Sequence, residues 1–198
     1  MTQLIVSTLL AYLLGGLPFG YWFVRLTAGR DIRTMGSGNI GATNVQRSMG
    51  MKAGLIVLFL DILKGFVAVW LAARLTGGST VALAWAAAAV MVGHCYPVFL
   101  RFKGGKAVAC FVGAFLYLAP LALLVTALVF LAVVALTRYV SLGSIIGALV
   151  FPPALWFINH PARSILSASI FASLLVIYRH KGNIARLRAG TESVFGRK

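Results

Sequence analysis

The chain has 198 residues, 61% of them hydrophobic and 11% charged, with 18 Lys and Arg against 3 Asp and Glu. Soluble domains carry roughly 25% charged residues, so this composition excludes a water-soluble globular protein and leaves a membrane-embedded one. A net charge of +15 raises nucleic acid as a partner, but the bases gather at the ends of apolar runs and no basic stripe interleaved with aromatics occurs, which excludes that class too.

Apolar runs of the roughly 20 residues needed to cross a 30 Å hydrocarbon layer predict spans over 3–26, 53–75, 80–100, 140–158 and 162–178. The first has no base before Arg25 and exceeds the apolar stretch of a signal peptide, so it reads as a retained span with its N-terminus outside. The second carries Asp61 and Lys64, three residues apart. A central charge costs about 3 kcal/mol on insertion scales, so the two are expected to pair, with each other or with a neighbouring helix, as a structural strut. The run 107–137 would extend about 46 Å as one helix, too long for the layer. Pro120 is predicted to divide it into two short pieces.

Seven crossings then place the loops 27–52, 101–106 and 179–198, with Arg138, on the cytoplasmic face. All Lys and Arg but three fall there: Arg74 and Arg163 lie on the other face and Lys64 within a span. A single crossing over 107–137 would send the basic tail outside, against the charge rule. The expected fold is an all-α integral membrane protein of about seven transmembrane helices, a single domain over 1–198, with the N-terminus outside and the C-terminus cytoplasmic. Cys95 and Cys110 offer neither a disulfide framework nor metal-ligand spacing.

Three polar clusters share the cytoplasmic edge. The first, Gly36 to Arg47, holds glycines at 36, 38 and 41 that free the backbone to turn successive N–H groups toward one point, a concave anion site beside the guanidinium fork of Arg47. The same segment also reads as a flexible inter-helix linker. The second runs from Gly93-His94 through Tyr96-Pro97 to Lys103-Gly104-Gly105-Lys106, where Lys106 stands at the start of the next helix, a position that favours an anion. It is not a Walker loop, because Leu100 and Ala107 occupy positions that such a loop needs for Gly and for Ser or Thr. A short basic turn flanking a span is the plainer reading. The third begins at Tyr178-Arg179-His180. If the helix continues, His180 and Asn183 share one face with Ile184 and Leu187. A basic amphipathic tail on anionic lipid accounts for Arg186 and Arg188, but not for His180 or Asn183.

In this order, the three clusters closely resemble the bacterial acyl-phosphate:glycerol-3-phosphate acyltransferase family, PlsY, over essentially the whole chain. The carriers are Ser37-Gly38-Asn39-Ile40-Gly41-Ala42-Thr43-Asn44-Val45 with Arg47, then Gly93-His94, Pro97-Val98-Phe99 and Phe102-Lys103-Gly104-Gly105-Lys106, then His180, Asn183-Ile184, Arg186-Leu187 and Gly190-Thr191-Glu192. Two positions depart from the pattern. Ala107 stands where the family continues the glycine run, and Cys110 where a small hydroxyl residue is expected; both look tolerable in a helix.

The resemblance implies transfer of a fatty acyl group from acyl phosphate to the sn-1 hydroxyl of glycerol 3-phosphate, giving lysophosphatidic acid and phosphate in the bacterial inner membrane, with the active site cytoplasmic. It implies no cofactor and no metal, the bilayer as surroundings, and the enzyme that makes acyl phosphate as a candidate partner. Catalytic candidates are Ser37, His94, Lys106 and His180. The N–H groups of Ser37 to Gly41 and the Ser37 hydroxyl are assigned to the acyl-phosphate head. Arg47, Lys106, His180 and Asn183 are assigned to glycerol 3-phosphate, with Lys103 a further candidate. Thr43, Asn44, Gly104 and Gly105 complete the binding set. His94 is either an orienting group or a proton acceptor, and the acceptor proton passes to His94, to His180 or to a substrate phosphate. Two other classes are weighed. An anion transporter should show paired half-structures and polar residues at the midplane of several spans, and a scaffold would need no coincident phosphate loops on one face. Acyltransferases with a His-x-x-x-x-Asp box are excluded, since Phe99, Ile165 and Ala185 stand five residues after the three histidines.

Overall fold

The structure, a computed structural model, describes residues 1–196. Arg197 and Lys198, which end the basic tail, lie outside the described residues. All regular elements among those residues are α-helices or short 3-10 turns, as the unbroken apolar runs require. The chain divides into two compact units, one of residues 1–117 and one beginning at Leu118.

The first unit contains α1 (Thr2–Gly16), α2 (Phe19–Ala28), α3 (Ala42–Met49), α4 (Met51–Thr76), α5 (Thr80–Cys95) and α6 (Val108–Leu118), whose last residue begins the second unit. The expected first span is not one helix. Pro18 lacks a donor and disfavours helical backbone at the residue before it; Leu17 is extended at φ −60°, ψ 114°, and the chain restarts at Phe19. That break frees the Leu17 carbonyl for a use described below.

Small residues let the helices approach closely, the packing mode of membrane bundles. Where α1 crosses α5, a Cβ on Gly15 would run into the Val90 carbonyl and one on Gly93 into that of Tyr12. Between α4 and α6 the same holds for Gly65 against Cys110 and Gly113 against Ile62. An apolar cluster of Val24, Ile32, Ile40, Val45, Ala53, Val57 and Leu100 lies beneath the loops and gathers residues of the first and second polar motifs around one core.

The second unit contains α7 (Pro120–Thr137), α8 (Val140–Asn159), α9 (Arg163–Arg179) and α10 (Lys181–Arg188). The break predicted at Pro120 is present: α6 ends at Leu118, and Pro120 opens α7, where its missing N–H is no loss. α7 packs on α8, and α8 on α9. Among the described residues, five segments are long and apolar enough to cross a membrane: Thr2–Ala28, Met51–Thr76, Thr80–Leu100, Pro120–Thr137 and Val140–Asn159. α6 has 11 residues, about 16 Å of helix, and α9 has 17.

Candidate active site

The first polar cluster is an ordered loop built around one buried amide. Asn44, 2% exposed on the first turn of α3, accepts the Ser37 N–H through Oδ1 at 2.8 Å. Its Nδ2 donates to the carbonyls of Asn39 at 2.8 Å, Met35 at 3.0 Å and Ile32 at 3.3 Å. Gly36 must be glycine here, because its φ is +54° and a Cβ would strike Asn44 Oδ1. The flexible-linker alternative does not fit a loop stitched in this way.

The arrangement also corrects two assignments. Asn44 does not present its side chain to a ligand, since both ends of the amide are committed to the loop. Nor are all the N–H groups from Ser37 to Gly41 available to an anion. Ser37 N–H goes to Asn44, that of Gly38 to the Met35 carbonyl at 2.9 Å, and that of Gly41 to Asn39 Oδ1 at 2.9 Å. The N–H groups of Asn39, Ile40 and, in the opening turn of α3, Ala42 and Thr43 take no part in these bonds. Ser37 and Arg47 are exposed at the rim. Arg33 is drawn off by Asp31, with Nη2 to Oδ2 at 2.6 Å, and this hydrogen-bonded partner holds the Asp31 carboxyl below its ordinary range.

The second cluster folds back on the end of α5. The N–H of Gly104 donates to the Cys95 carbonyl at 3.2 Å and that of Gly105 to the His94 carbonyl at 3.0 Å. A Cβ on Gly105 would run into His94 Nε2. Lys106 follows directly, half-buried, while Lys103 is exposed. Ala107 then takes φ +59°, a left-handed conformation that costs an L-residue about 1–2 kcal/mol. It therefore lies just before α6 rather than within it, and a glycine would remove the strain.

His94 is buried, 4% exposed, and its Nδ1 stands 3.7 Å from Asp61 Oδ1. The Asp61–Lys64 pair forms as expected, with Lys64 Nζ 2.8 Å from the same oxygen; Lys64 also donates to the freed Leu17 carbonyl at 2.7 Å. Asp61, His94 and Cys110 have donor atoms within 4.8 Å of one another, a grouping that the linear spacing of the cysteines does not reveal. The Lys64 ammonium already supplies the cation against Asp61 there.

The third cluster lies in the second unit. His180 and Asn183 are 2% and 6% exposed, and Ile184 and Leu187 are half-buried on the same side of α10, whereas Lys181, Arg186 and Arg188 face outward. The Val176 carbonyl, 2.8 Å from His180 Nδ1, can only accept, so Nδ1 carries the proton and Nε2 is the basic nitrogen of the neutral ring. Glu192, absent from the site expected by sequence, organises this region. It accepts from Asn183 Nδ2 at 2.6 Å, Ser141 Oγ at 2.8 Å and Arg186 Nε at 2.7 Å.

Burial alone would raise the Glu192 carboxyl, but the hydrogen bonds from Asn183, Ser141 and Arg186 outweigh it and leave the group below its ordinary value of 4.5. The stability it contributes is therefore fully present above about 4.5 and is lost as pH falls through the lower folded-state value. Acidification through that window should expose the segment after Arg188 to carboxypeptidase. Glu192→Gln should show the same exposure at neutral pH, and a variant as protected as wild type would refute the clamp.

The sequence profile of the glycerol-3-phosphate acyltransferases matches residues 5–190. A glycerol-3-phosphate acyltransferase of Syntrophotalea carbinolica is 47% identical over 196 residues, 98% of this chain and 99% of its own. One from Desulforamulus reducens is 47% identical over 188 residues, 95% and 93% of the two chains. The chain belongs to the glycerol-3-phosphate acyltransferase family. The crystal structure of PlsY, an integral membrane glycerol 3-phosphate acyltransferase, in its glycerol 3-phosphate form superposes with a TM-score of 0.92 at 41% identity, covering 98% of this chain and 96% of that one. Its lysophosphatidic acid form gives 0.88 at 39%, covering 98% and 95%. The protein is thus a membrane glycerol-3-phosphate acyltransferase, as the three motifs implied.

Proposed function

We propose that this acyltransferase uses acyl phosphate as donor and acylates the sn-1 hydroxyl of glycerol 3-phosphate, releasing phosphate and lysophosphatidic acid at the cytoplasmic face of the bacterial inner membrane. The acceptor half is carried by the match, over nearly the full length of both chains, to a glycerol 3-phosphate form of PlsY. In the reaction the hydroxyl oxygen bonds the acyl carbon, the carbon–oxygen bond to phosphate breaks, and the electron pair leaves with phosphate.

The donor half rests on the loop. A departing phosphate already bears negative charge and needs fixed hydrogen-bond donors more than an acid. Asn44 holds the 36–41 turn so that the N–H groups of Asn39, Ile40, Ala42 and Thr43, with the Ser37 hydroxyl, are candidate donors. A thioester leaves as a thiolate with a pKa near 8.5 and presents no phosphate at the reacting carbon. Lys106, Arg47, His180 and Asn183 are the proposed acceptor-site ligands, with Lys103 less favoured because it is exposed. The burial of His94 between Asp61 and Gly105 favours the orienting role over proton transfer. The proton then passes to His180 or to a substrate phosphate, of which the substrate is preferred. Purified protein should make lysophosphatidic acid from palmitoyl phosphate and none from palmitoyl coenzyme A at equal concentration; comparable rates would overturn the donor assignment.

The family profile runs through both compact units, which supports one functional domain. Of the two crossings expected to be short within 107–137, α6 is short at 11 residues, whereas α7 is long enough to span at 18. A cytoplasmic site requires the loops after α2 and α5 and the segment after α9 to share one side. Single cysteines at Gly78 and Asn159, in a background without Cys95 and Cys110, should react with an impermeant reagent from outside. Cysteines at Thr34 and Thr191 should react only after the membrane is opened, and external labelling at Thr191 would overturn the count.

A further inference from the structure

We propose that the buried Asp61–Lys64 pair is a positioning device: through His94 it sets the Gly104–Gly105–Lys106 turn for glycerol 3-phosphate. The inference rests on the reading of that turn as part of the acceptor site. An ion pair within a span is costly and needs a reason to be retained. A strut would need only the two partners, yet this pair reaches in two further directions. Lys64 Nζ, 2.8 Å from Asp61 Oδ1, also donates to the Leu17 carbonyl at 2.7 Å and so ties the α1–α2 break to α4. Asp61 Oδ1 stands 3.7 Å from His94 Nδ1, beyond hydrogen-bond distance but close enough in this buried setting for its charge to bear on that edge of the ring.

The other edge of the ring is the supporting wall of the turn. Gly105 lies so close to His94 Nε2 that no Cβ fits between them, and the Gly105 N–H bonds the carbonyl of the same histidine. A rotation of the imidazole must therefore displace Gly105, and Lys106 is the next residue. The three polar side chains are 2%, 4% and 4% exposed, so no solvent compensates for a lost contact. Cys110 brings its sulfur from α6 to within 4.8 Å of the Asp61 and His94 donor atoms.

Asp61→Asn combined with Lys64→Met keeps the interior neutral and close to the original volume, so a purely structural pair is replaced without consequence. Direct binding of radiolabelled glycerol 3-phosphate to detergent-purified protein is the readout, because it does not depend on the donor and because Kd is independent of the folded fraction. The double variant is expected to bind about tenfold or more weakly than wild type, the scale of one misplaced charge-assisted contact. An unchanged Kd would overturn the proposal. Should the double variant yield no folded fraction, His94→Gln decides, since it leaves Asp61 and Lys64 paired and removes only the link. The same loss of affinity then supports the positioning role, and wild-type affinity overturns it. Wild-type protein and Lys106→Ala are measured alongside. Normal binding by Lys106→Ala would refute the acceptor-site reading itself, a result distinct from normal binding by the double variant.

Discussion

Lys106→Ala and Arg47→Ala are each expected to lower kcat/KM by about two orders of magnitude or more, at or above the 1.5–3 kcal/mol of a charge-assisted hydrogen bond. The size of the effect comes from preorganisation. The Lys106 backbone is set on one side by the Gly105 N–H bonded to the His94 carbonyl and on the other by the left-handed Ala107. On the proposed reading the amine approaches the substrate phosphate from a backbone already held in place, which a neighbouring base does not share. Arg47 stands in the last turn of α3, whose first turn carries Asn44. Arg188, exposed at the end of α10, serves as control, and its replacement by alanine should change kcat/KM little. Equal losses in all three variants would mean that net surface charge, and not these two positions, matters.

Asn44→Ala should abolish turnover while the protein still purifies as a single folded species. Removing the amide orphans the Ser37 N–H and the Asn39 carbonyl and takes one of two partners from the carbonyls of Met35 and Ile32, which keep the N–H groups of Gly38 and Met35. Each buried group so orphaned costs about 1–3 kcal/mol. The loop can escape that cost by opening to water, whereas the helices beneath retain their packing. Hydrogen exchange should therefore rise over 32–41 and stay unchanged in α4 and α5. Asn44→Asp tests the mechanism further, because a carboxylate still accepts from Ser37 but cannot donate to three carbonyls, and it should be as inactive as the alanine variant. Wild-type protection over 32–41 in either variant would refute the role of Asn44 as the loop's centre.

Sequence alone determined the membrane class, the helical fold, the three motifs and the break at Pro120. Each follows from a one-dimensional rule: an apolar run long enough to span lipid, a proline without a donor, a glycine where left-handed backbone is needed. The facing of His180 and Asn183 toward the same side of α10 was legible for the same reason, since helical periodicity acts over three residues. What escaped the sequence lies between segments far apart in the chain. The first two loop motifs contain no acid to orient a histidine, yet α4 brings Asp61 to within 3.7 Å of His94, 33 positions away by their residue numbers. The charge rule counted Lys64 as an exception within a span, but its amine meets a carbonyl that exists as an acceptor only because Pro18 breaks the first helix. Asn44 and Asn39 read as phosphate ligands by residue type, and only the closed loop spends the whole Asn44 amide, the Asn39 Oδ1 and three of the expected N–H donors on itself. A polar side chain's chemistry is written in its residue type, whereas its partner is chosen by the folded chain, because burial forces each donor and acceptor to pair with whatever the tertiary structure brings within 3 Å or so.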